Sequence, residues 1–155
     1  MVQYAKKNGR DDDKRVLVFG QSIGAAIGVV VTALEPDVEG LVAEAGFSEY
    51  RSIARHATKQ SFLTWPLYPI YPLLLNKRFD PIKFIAKISP RPVLLIHGKK
   101  DEIVPFRMSE KLWKRANEPK QLLPIENAGH LECRRVGGLT YEKTIVEFFD
   151  RAIQK

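Results

Sequence analysis

The stretch from Arg15 to Gly28 reads RVLVFGQSIGAAIG, and the interpretation of the whole sequence begins with it. Val16 to Phe19 is an unbroken apolar run, typical of a strand that helices cover on both faces. Gly20-Gln21-Ser22-Ile23-Gly24 follows, and then a run of small residues that lets a helix pack closely on a sheet. The stretch therefore predicts a buried strand, a tight turn and a helix that continues to about Leu34.

The turn has the G-x-S-x-G pattern, in which the serine hydroxyl is exposed at the carboxyl end of the strand. We expect the positions of Gly20 and Gly24 to need glycine or a residue nearly as small, because residues two before and two after such a serine crowd each other. The amino terminus of the helix points free N–H groups at a reacting carbonyl, and the N–H of Ile23 is the expected oxyanion donor. An ordinary strand-to-helix turn is the alternative. The flanking strand and helix favour Ser22 as a nucleophile, with Gln21 beside it.

A serine hydroxyl is a weak nucleophile without a neighbouring base. Among the three histidines, His130 is the candidate base, because it lies in a loop after the last predicted strand. His56 falls inside a predicted helix and His97 ends a predicted strand, so structural roles are favoured for both. Asp101 follows that same strand and is the candidate acid that orients the imidazole. Glu44, at the end of another strand, is the alternative acid.

Strands and helices alternate along the remaining sequence, which predicts an α/β fold with a mostly parallel sheet and helices on both faces. The further predicted strands cover residues 40–43, 93–97 and 121–125. The further predicted helices cover residues 48–60, 80–88, 105–117 and 140–154, with Asp80 as the cap of the second. Pro124 cannot donate to a β-ladder, so the last strand is expected at a sheet edge.

Three stretches in chain order resemble the α/β-hydrolase superfamily, in particular its serine-aminopeptidase-like and ABHD-type esterases: Val16–Gly24, Phe79–Pro105 and Glu126–His130. The order Ser, Asp, His is the one found in that fold. The resemblance implies a triad of Ser22, Asp101 and His130. It also implies a small-molecule or acylated substrate with a carboxylic ester, thioester or amide bond, and neither a cofactor nor a metal.

The resemblance covers only the C-terminal half of such a domain. In the family, further strands precede the elbow strand, and a loop among them carries an H-G-type motif that completes the oxyanion hole. No stretch before Val16 matches this part. We therefore expect residues 1–155 to form a truncated α/β-hydrolase domain that lacks the N-terminal strands. Residues 48–90 are expected to be a helical insertion that forms the cap or acyl pocket.

The net charge is +7, from 25 Lys and Arg against 18 Asp and Glu. The basic residues are scattered and no basic strip is interleaved with aromatic residues, so a solvated surface is favoured over nucleic-acid binding. Cys133 is the one cysteine. It excludes an internal disulfide, favours a reducing, cytoplasmic location and is expected to be a packed thiol rather than a nucleophile. The longest apolar stretch, residues 23–34, is too short to span a bilayer.

Three functions are compatible with these patterns. The leading one is a serine hydrolase that acts through an acyl-enzyme. The second is an inactive hydrolase half that serves as a folding or oligomerisation module. The third, a polyproline-presenting adaptor, rests on the spacing of Pro66, Pro69 and Pro72, but the apolar residues between them favour burial. Because Val16–Phe19 lacks protective charges, we also expect self-association through this edge strand or pairing with an N-terminal partner segment.

Overall fold

A computed structural model describes residues 15–60 and 77–154 of the chain. Its centre is a sheet of four parallel strands in the order β1-β2-β3-β4. The strands are β1 (Val16–Gln21), β2 (Val38–Glu44), β3 (Val93–Gly98) and β4 (Lys120–Ile125). The predicted parallel α/β sheet is confirmed.

Within residues 15–60 and 77–154, four α-helices and two short 3-10 helices accompany the sheet. The α-helices are α1 (Ile23–Leu34), α2 (Tyr50–Gln60), α3 (Arg107–Arg115) and α4 (Cys133–Ile153). The 3-10 helices are Pro81–Lys83 and Ile85–Lys87. In the described part of the chain, no helix has the length and apolar character needed to cross a membrane.

The helices cover both faces of the sheet, as predicted. β2 shows how the alternating side chains of a strand serve the two faces. Leu41 and Ala43 pack in one cluster with α1, α3 and the 3-10 helices. Val42 packs in the other cluster, with Tyr141 and Phe148 of α4. β3 is buried at every position, which explains why it lacks a polar side.

The two ends of the sheet differ. β4 lies at one end of the described sheet, and its Pro124 stands opposite His97 of β3, so the expected edge position of this strand is confirmed among the described strands. β1 lies at the other end, where it pairs with β2 alone among the described residues. Phe19 in β1 is 45% exposed.

The last helix begins earlier than predicted. The sequence pattern places its start at Thr140, whereas α4 begins at Cys133. The predicted and observed starts differ because α4 consists of two helical segments joined at Gly138, whose φ of 51° and ψ of −134° are not helical. Glycine adopts this conformation without a Cβ clash, so the chain bends there and continues. Only the second segment shows the long apolar periodicity visible in the sequence.

The predicted helix over residues 80–88 is wrong in type and in its cap. The segment forms the two 3-10 helices, and the side chain of Asp80 makes no capping bond to them. Asp80 is buried instead, and its Oδ1 accepts a hydrogen bond of 3.0 Å from the N–H of Tyr50, the first residue of α2. The N–H of Ile82 donates to the carbonyl of Ser48, 3.0 Å away. Asp80 therefore caps a helix thirty residues earlier in the chain.

The predicted insertion of residues 48–90 is described only in part. α2 and the two 3-10 helices belong to it, and the bonds at Asp80 and Ile82 hold them together. The three prolines of the polyproline hypothesis lie outside the described residues. The role of the insertion as a cap or acyl pocket stays a prediction.

Replacing Asp80 with alanine should lower the free energy of unfolding by about 1–2 kcal/mol, because the first turn of α2 loses its acceptor. Asp80→Asn keeps an oxygen at the same place and should retain most of the stability. Urea denaturation followed by circular dichroism measures both variants. Equal losses for Ala and Asn would show that the charge of Asp80, and not its capping bond, stabilises the fold.

Candidate active site

Ser22 occupies a strained turn between β1 and α1. Its φ of 53° and ψ of −117° are rare for a residue with a side chain, and such a conformation costs on the order of 1–3 kcal/mol. The N–H of Ser22 donates to the carbonyl of Glu44 at 2.9 Å, which continues the β1–β2 ladder into the turn. The side chain of Ser22 is half-buried. The predicted tight turn is present, and the pairing of β1 with β2 holds it in place.

Only one of the two flanking glycines is required by close contact. A Cβ added at Gly20 would collide with the backbone of Gly24. A Cβ added at Gly24 would meet no atom within 4 Å. Contact therefore requires glycine at Gly20, whereas the Cβ direction of Gly24 points away from the crowded side of the turn and leaves room for a residue slightly larger than glycine.

This asymmetry gives a test in which the two glycines control for each other. Gly20→Ala should be strongly destabilising, by about 3 kcal/mol or more, because backbone atoms must move. Gly24→Ala should stay within about 1 kcal/mol, since alanine also suits the first turn of a helix. Thermal denaturation of the two variants measures the difference. Similar stabilities would contradict the steric argument.

The first turn of α1 lies directly after Ser22. The N–H groups of Ala25 and Ala26 both donate to the carbonyl of Ser22, at 3.1 and 3.2 Å. The N–H of Ile23 belongs to the first residue of the helix, where no helical carbonyl can accept it. Its position matches the expected oxyanion donor, and that role stays a prediction. On the sheet side, Gly28 packs closely, since an added Cβ would lie 3.2 Å from side chains of β1 and β2.

Asp101 and His130 meet across two loops that follow β3 and β4. His130 Nδ1 lies 2.8 Å from Asp101 Oδ2, as predicted for an acid that orients a base. Backbone bonds join the loops: the N–H of Lys100 donates to the carbonyl of Ala128 at 3.0 Å. A Cβ at Gly98 would collide with that same carbonyl, so glycine is required where the loops cross.

The carboxylate of Asp101 is buried and surrounded by donors. Its Oδ1 accepts from the N–H groups of Ile103 and Val104, at 3.0 and 2.8 Å. Burial alone raises the pKa of Asp101, but hydrogen bonds from His97, His130 and Val104 outweigh it and leave the pKa below its usual value. Asp101 is therefore an anion at neutral pH. An anion at Nδ1 keeps the proton on that nitrogen, so Nε2 of His130 is left with a lone pair.

The structure does not join Ser22 to this pair directly. Among the described residues, no hydrogen bond links Ser22 Oγ to His130. Such contacts are often long in the absence of substrate and tighten when it binds. The geometry thus brings Asp101 and His130 into contact and places Ser22 at the same edge of the sheet, while the catalytic roles of the three residues stay predictions.

Glu44, the alternative acid, has a different position. It is fully buried, and its Oε2 accepts from Gln21 Nε2 at 3.0 Å and from the hydroxyl of Tyr141 at 2.7 Å. Its Oε1 has no partner among the described residues. These bonds tie the residue before Ser22 to α4, so Glu44 braces the turn rather than orienting His130.

Cys133 is buried behind this carboxylate. Burial raises the pKa of the Cys133 thiol to about 12, and the charges of Glu44 and Asp101 act in the same direction. The thiol is therefore protonated at neutral pH and is a poor nucleophile. This agrees with a packed thiol.

An open cleft of about 380 Å³ adjoins the outer side of Asp101. His56 of α2 lines it, and His56 Nε2 lies 2.7 Å from the carbonyl of Glu102. His56 therefore links α2 to the loop that carries Asp101. No group of three or more potential metal-binding side chains occurs in the described ranges.

His97 has a closer relation to the site than its sequence position indicates. Its Nε2 lies 3.3 Å from Oδ2 of Asp101, the same oxygen that contacts His130. The sequence pattern placed it at the end of a buried strand and favoured a structural role. Its separation of four residues from Asp101 has no special meaning in a loop, so only the folded structure reveals this contact.

Comparison with known sequences places the whole chain, residues 1–155, within the sequence profile of the prolyl oligopeptidase family. YfhR, an uncharacterized protein of Escherichia coli, is 32% identical over 143 residues, which are 90% of this chain and 47% of YfhR. WAV2 of Arabidopsis thaliana, an alpha/beta hydrolase domain-containing protein, is 30% identical over 151 residues, 90% of this chain and 48% of WAV2. The chain thus spans about half the length of the curated relatives it matches.

Solved structures show the same fold. An acylaminoacyl peptidase of Pyrococcus horikoshii superposes with a TM-score of 0.78 and 18% identity, covering 99% of this chain and 26% of the peptidase. An esterase of Pyrococcus furiosus superposes with a TM-score of 0.78 and 19% identity, covering 97% of this chain and 59% of the esterase. The described architecture is therefore part of an α/β-hydrolase fold, as the sequence resemblance implied.

Proposed function

We propose that this chain, which belongs to the prolyl oligopeptidase family, provides the catalytic serine, histidine and aspartate of a serine hydrolase. The observation that carries the proposal is the 2.8 Å contact between His130 Nδ1 and Asp101 Oδ2. That contact lies at the same edge of the sheet as the strained turn that carries the half-buried Ser22. The strain of the turn is typical of functional sites.

In the proposed mechanism, Ser22 Oγ attacks the substrate carbonyl while His130 Nε2 takes its proton. Asp101 stabilises the imidazolium that forms. The N–H of Ile23 donates to the oxygen that becomes negative. When the tetrahedral intermediate collapses, His130 returns the proton to the leaving group and an acyl-Ser22 ester remains. Water, activated by the same histidine, then hydrolyses that ester.

The substrate class proposed is a carboxylic ester, a thioester or an amide. All three present an acyl carbonyl to the serine and differ only in the leaving group. Solved relatives of similar fold are described as an esterase and as an acylaminoacyl peptidase, which cleave the first and the last of these bonds. We therefore propose that Ser22 reacts with an acyl carbonyl, and we name no specific leaving group.

A fluorophosphonate probe tests the proposal because it reacts with an activated serine without requiring a known substrate. The wild-type chain should be labelled, and Ser22→Ala should abolish labelling. Ser52→Ala, in α2, is the control and should label normally. Asp101→Asn should slow labelling by about 10⁴-fold, because an amide favours the wrong tautomer of His130. Labelling that persists in Ser22→Ala would refute the assignment of the nucleophile.

The alternative proposal, an inactive hydrolase half, is favoured by one observation. The chain spans about half of the relatives it matches, and a complete oxyanion hole needs a second donor besides Ile23. A wild-type chain that is folded by circular dichroism and yet resists the probe would support this alternative. If the same chain became reactive when mixed with an N-terminal hydrolase segment, that result would support the leading proposal.

We further propose that the side of β1 away from β2, which pairs with no other strand in the described ranges, pairs with a strand from a second copy or from an N-terminal segment. The backbone N–H and C=O groups on that side form a template for such pairing. Phe19 is half-exposed in β1, and Ile23 and Ile27 are exposed in the adjoining α1. The strand and helix therefore present apolar side chains together with the backbone groups.

Sedimentation at micromolar concentration tests this pairing. The wild type should associate, and Phe19→Lys should weaken association at least about tenfold, because charge on an edge strand opposes pairing. Leu139→Lys, an equally drastic change at an exposed site of α4, should leave it unaffected. A wild-type chain that sediments as a monomer would refute the proposal.

A further inference from the structure

His97 is the penultimate residue of β3, and its side chain is fully buried. A buried imidazole requires hydrogen-bond partners at both nitrogens. Its Nδ1 lies 2.6 Å from the hydroxyl oxygen of Ser109 in α3. Its Nε2 lies 2.7 Å from the carbonyl oxygen of Val104 and 3.3 Å from Asp101 Oδ2. Every polar partner of the ring therefore comes from the loop and helix that follow β3.

These partners determine which ring nitrogen of His97 carries the hydrogen. A carbonyl oxygen can only accept, so the nitrogen facing Val104 must donate. In the neutral ring, Nδ1 then has the lone pair, and the Ser109 hydroxyl donates to it. The Nε2–H donates mainly to the carbonyl of Val104. The carboxylate of Asp101 is its second, more distant acceptor.

Val104 connects His97 to the other oxygen of the same carboxylate. Its carbonyl accepts from His97, and its N–H donates to Asp101 Oδ1 at 2.8 Å. His97 therefore touches Asp101 Oδ2 directly and supports the donor to Oδ1 through one peptide group. The positions of both carboxylate oxygens of Asp101 therefore depend on contacts with this buried ring.

We propose that His97 is a positioning residue of the hydrolase site, which holds the turn 101–104 so that Asp101 Oδ2 faces His130 Nδ1. The inference rests on the proposed function of Ser22, Asp101 and His130 and adds a fourth side chain to it. In the described part of the chain, the polar contacts of His97 are to Ser109, Val104 and Asp101 and do not include Ser22. Its loss should therefore lower the rate of the chemical step and leave substrate binding unchanged.

Two amide substitutions separate positioning from packing. In His97→Gln, the side-chain NH₂ reaches the place of Nε2 and donates to Val104 and Asp101. In His97→Asn, the shorter amide reaches only the place of Nδ1, where its oxygen accepts from Ser109. Both variants bury a neutral amide in the same cavity, so their effects on stability should be similar. They differ in the donor toward Asp101.

The experiment measures the rate of fluorophosphonate labelling of Ser22 per folded molecule, with the hydrolysis of a p-nitrophenyl ester beside it. His97→Asn should be slower than wild type by about 10–100-fold in labelling and in kcat, at an unchanged KM, as expected for a small displacement of a catalytic group. His97→Gln should be at least about ten times faster than His97→Asn. Equal rates for the two variants would overturn the proposal, because packing alone would then explain both.

A second measurement does not depend on activity. The ¹⁵N chemical shifts of the ring nitrogens report the tautomer of each histidine. In the wild type, His97 should carry its hydrogen on Nε2 and His130 on Nδ1. In His97→Asn, the Nδ1–H form of His130 should lose population, whereas His97→Gln should retain it. A wild-type His97 with its hydrogen on Nδ1 would overturn the proposal even if neither variant folds.

The two readouts separate failure of the inference from failure of the proposed function. A wild-type chain that resists the probe would refute the hydrolase proposal, while the His130 tautomer in the two variants would still decide the role of His97. Conversely, a labelled wild type with identical His130 tautomers in both variants would preserve the hydrolase and refute the positioning role.

Discussion

Parallel hydrogen bonding between the four strands aligns their carboxyl ends at one edge, and the whole candidate site is built on those ends. Ser22 follows β1, Glu44 ends β2, Asp101 follows β3 and His130 lies in the loop after β4. The strand order equals the chain order, so each loop lies beside the next. Residues more than a hundred positions apart thereby share one small region, which no local interaction along the chain could achieve.

Burying carboxylates at this edge of the sheet costs folding free energy. Asp101 and Glu44 are both carboxylates removed from water, and such groups are tolerated only with several hydrogen-bond donors. Asp101 has two backbone N–H groups and two imidazoles around it, and Glu44 has an amide and a phenol on one oxygen. The strain at Ser22 adds a further cost. The sheet and the helices on its two faces stabilise the fold enough to accommodate all three.

At several positions, the local sequence pattern does not predict the contact or conformation that the structure shows. Asp80 before a proline is a typical helix cap, yet its carboxylate binds the N–H of Tyr50 because the segment docks against α2. Gly24 belongs to the G-x-S-x-G pattern, yet only Gly20 stands where a Cβ collides. Gly138 interrupts the periodicity without ending α4, because glycine accepts the bend. For Asp80 and Gly20 a neighbour in three dimensions, invisible in the sequence, decides the outcome, whereas at Gly138 the backbone freedom of glycine decides it.

The sequence by itself determined the strands, the turn at Ser22 and the parallel α/β class, because apolar periodicity and short motifs are local properties of the chain. Motif order named Asp101 as the first candidate partner of His130 and left Glu44 as the alternative. Tertiary structure alone decided that Glu44 braces Gln21 and Tyr141 and does not orient His130. It alone placed His97 against the carboxylate of Asp101. The partners of a buried polar group depend on hydrogen-bond distances and directions, and the packing of the loops and helices determines both.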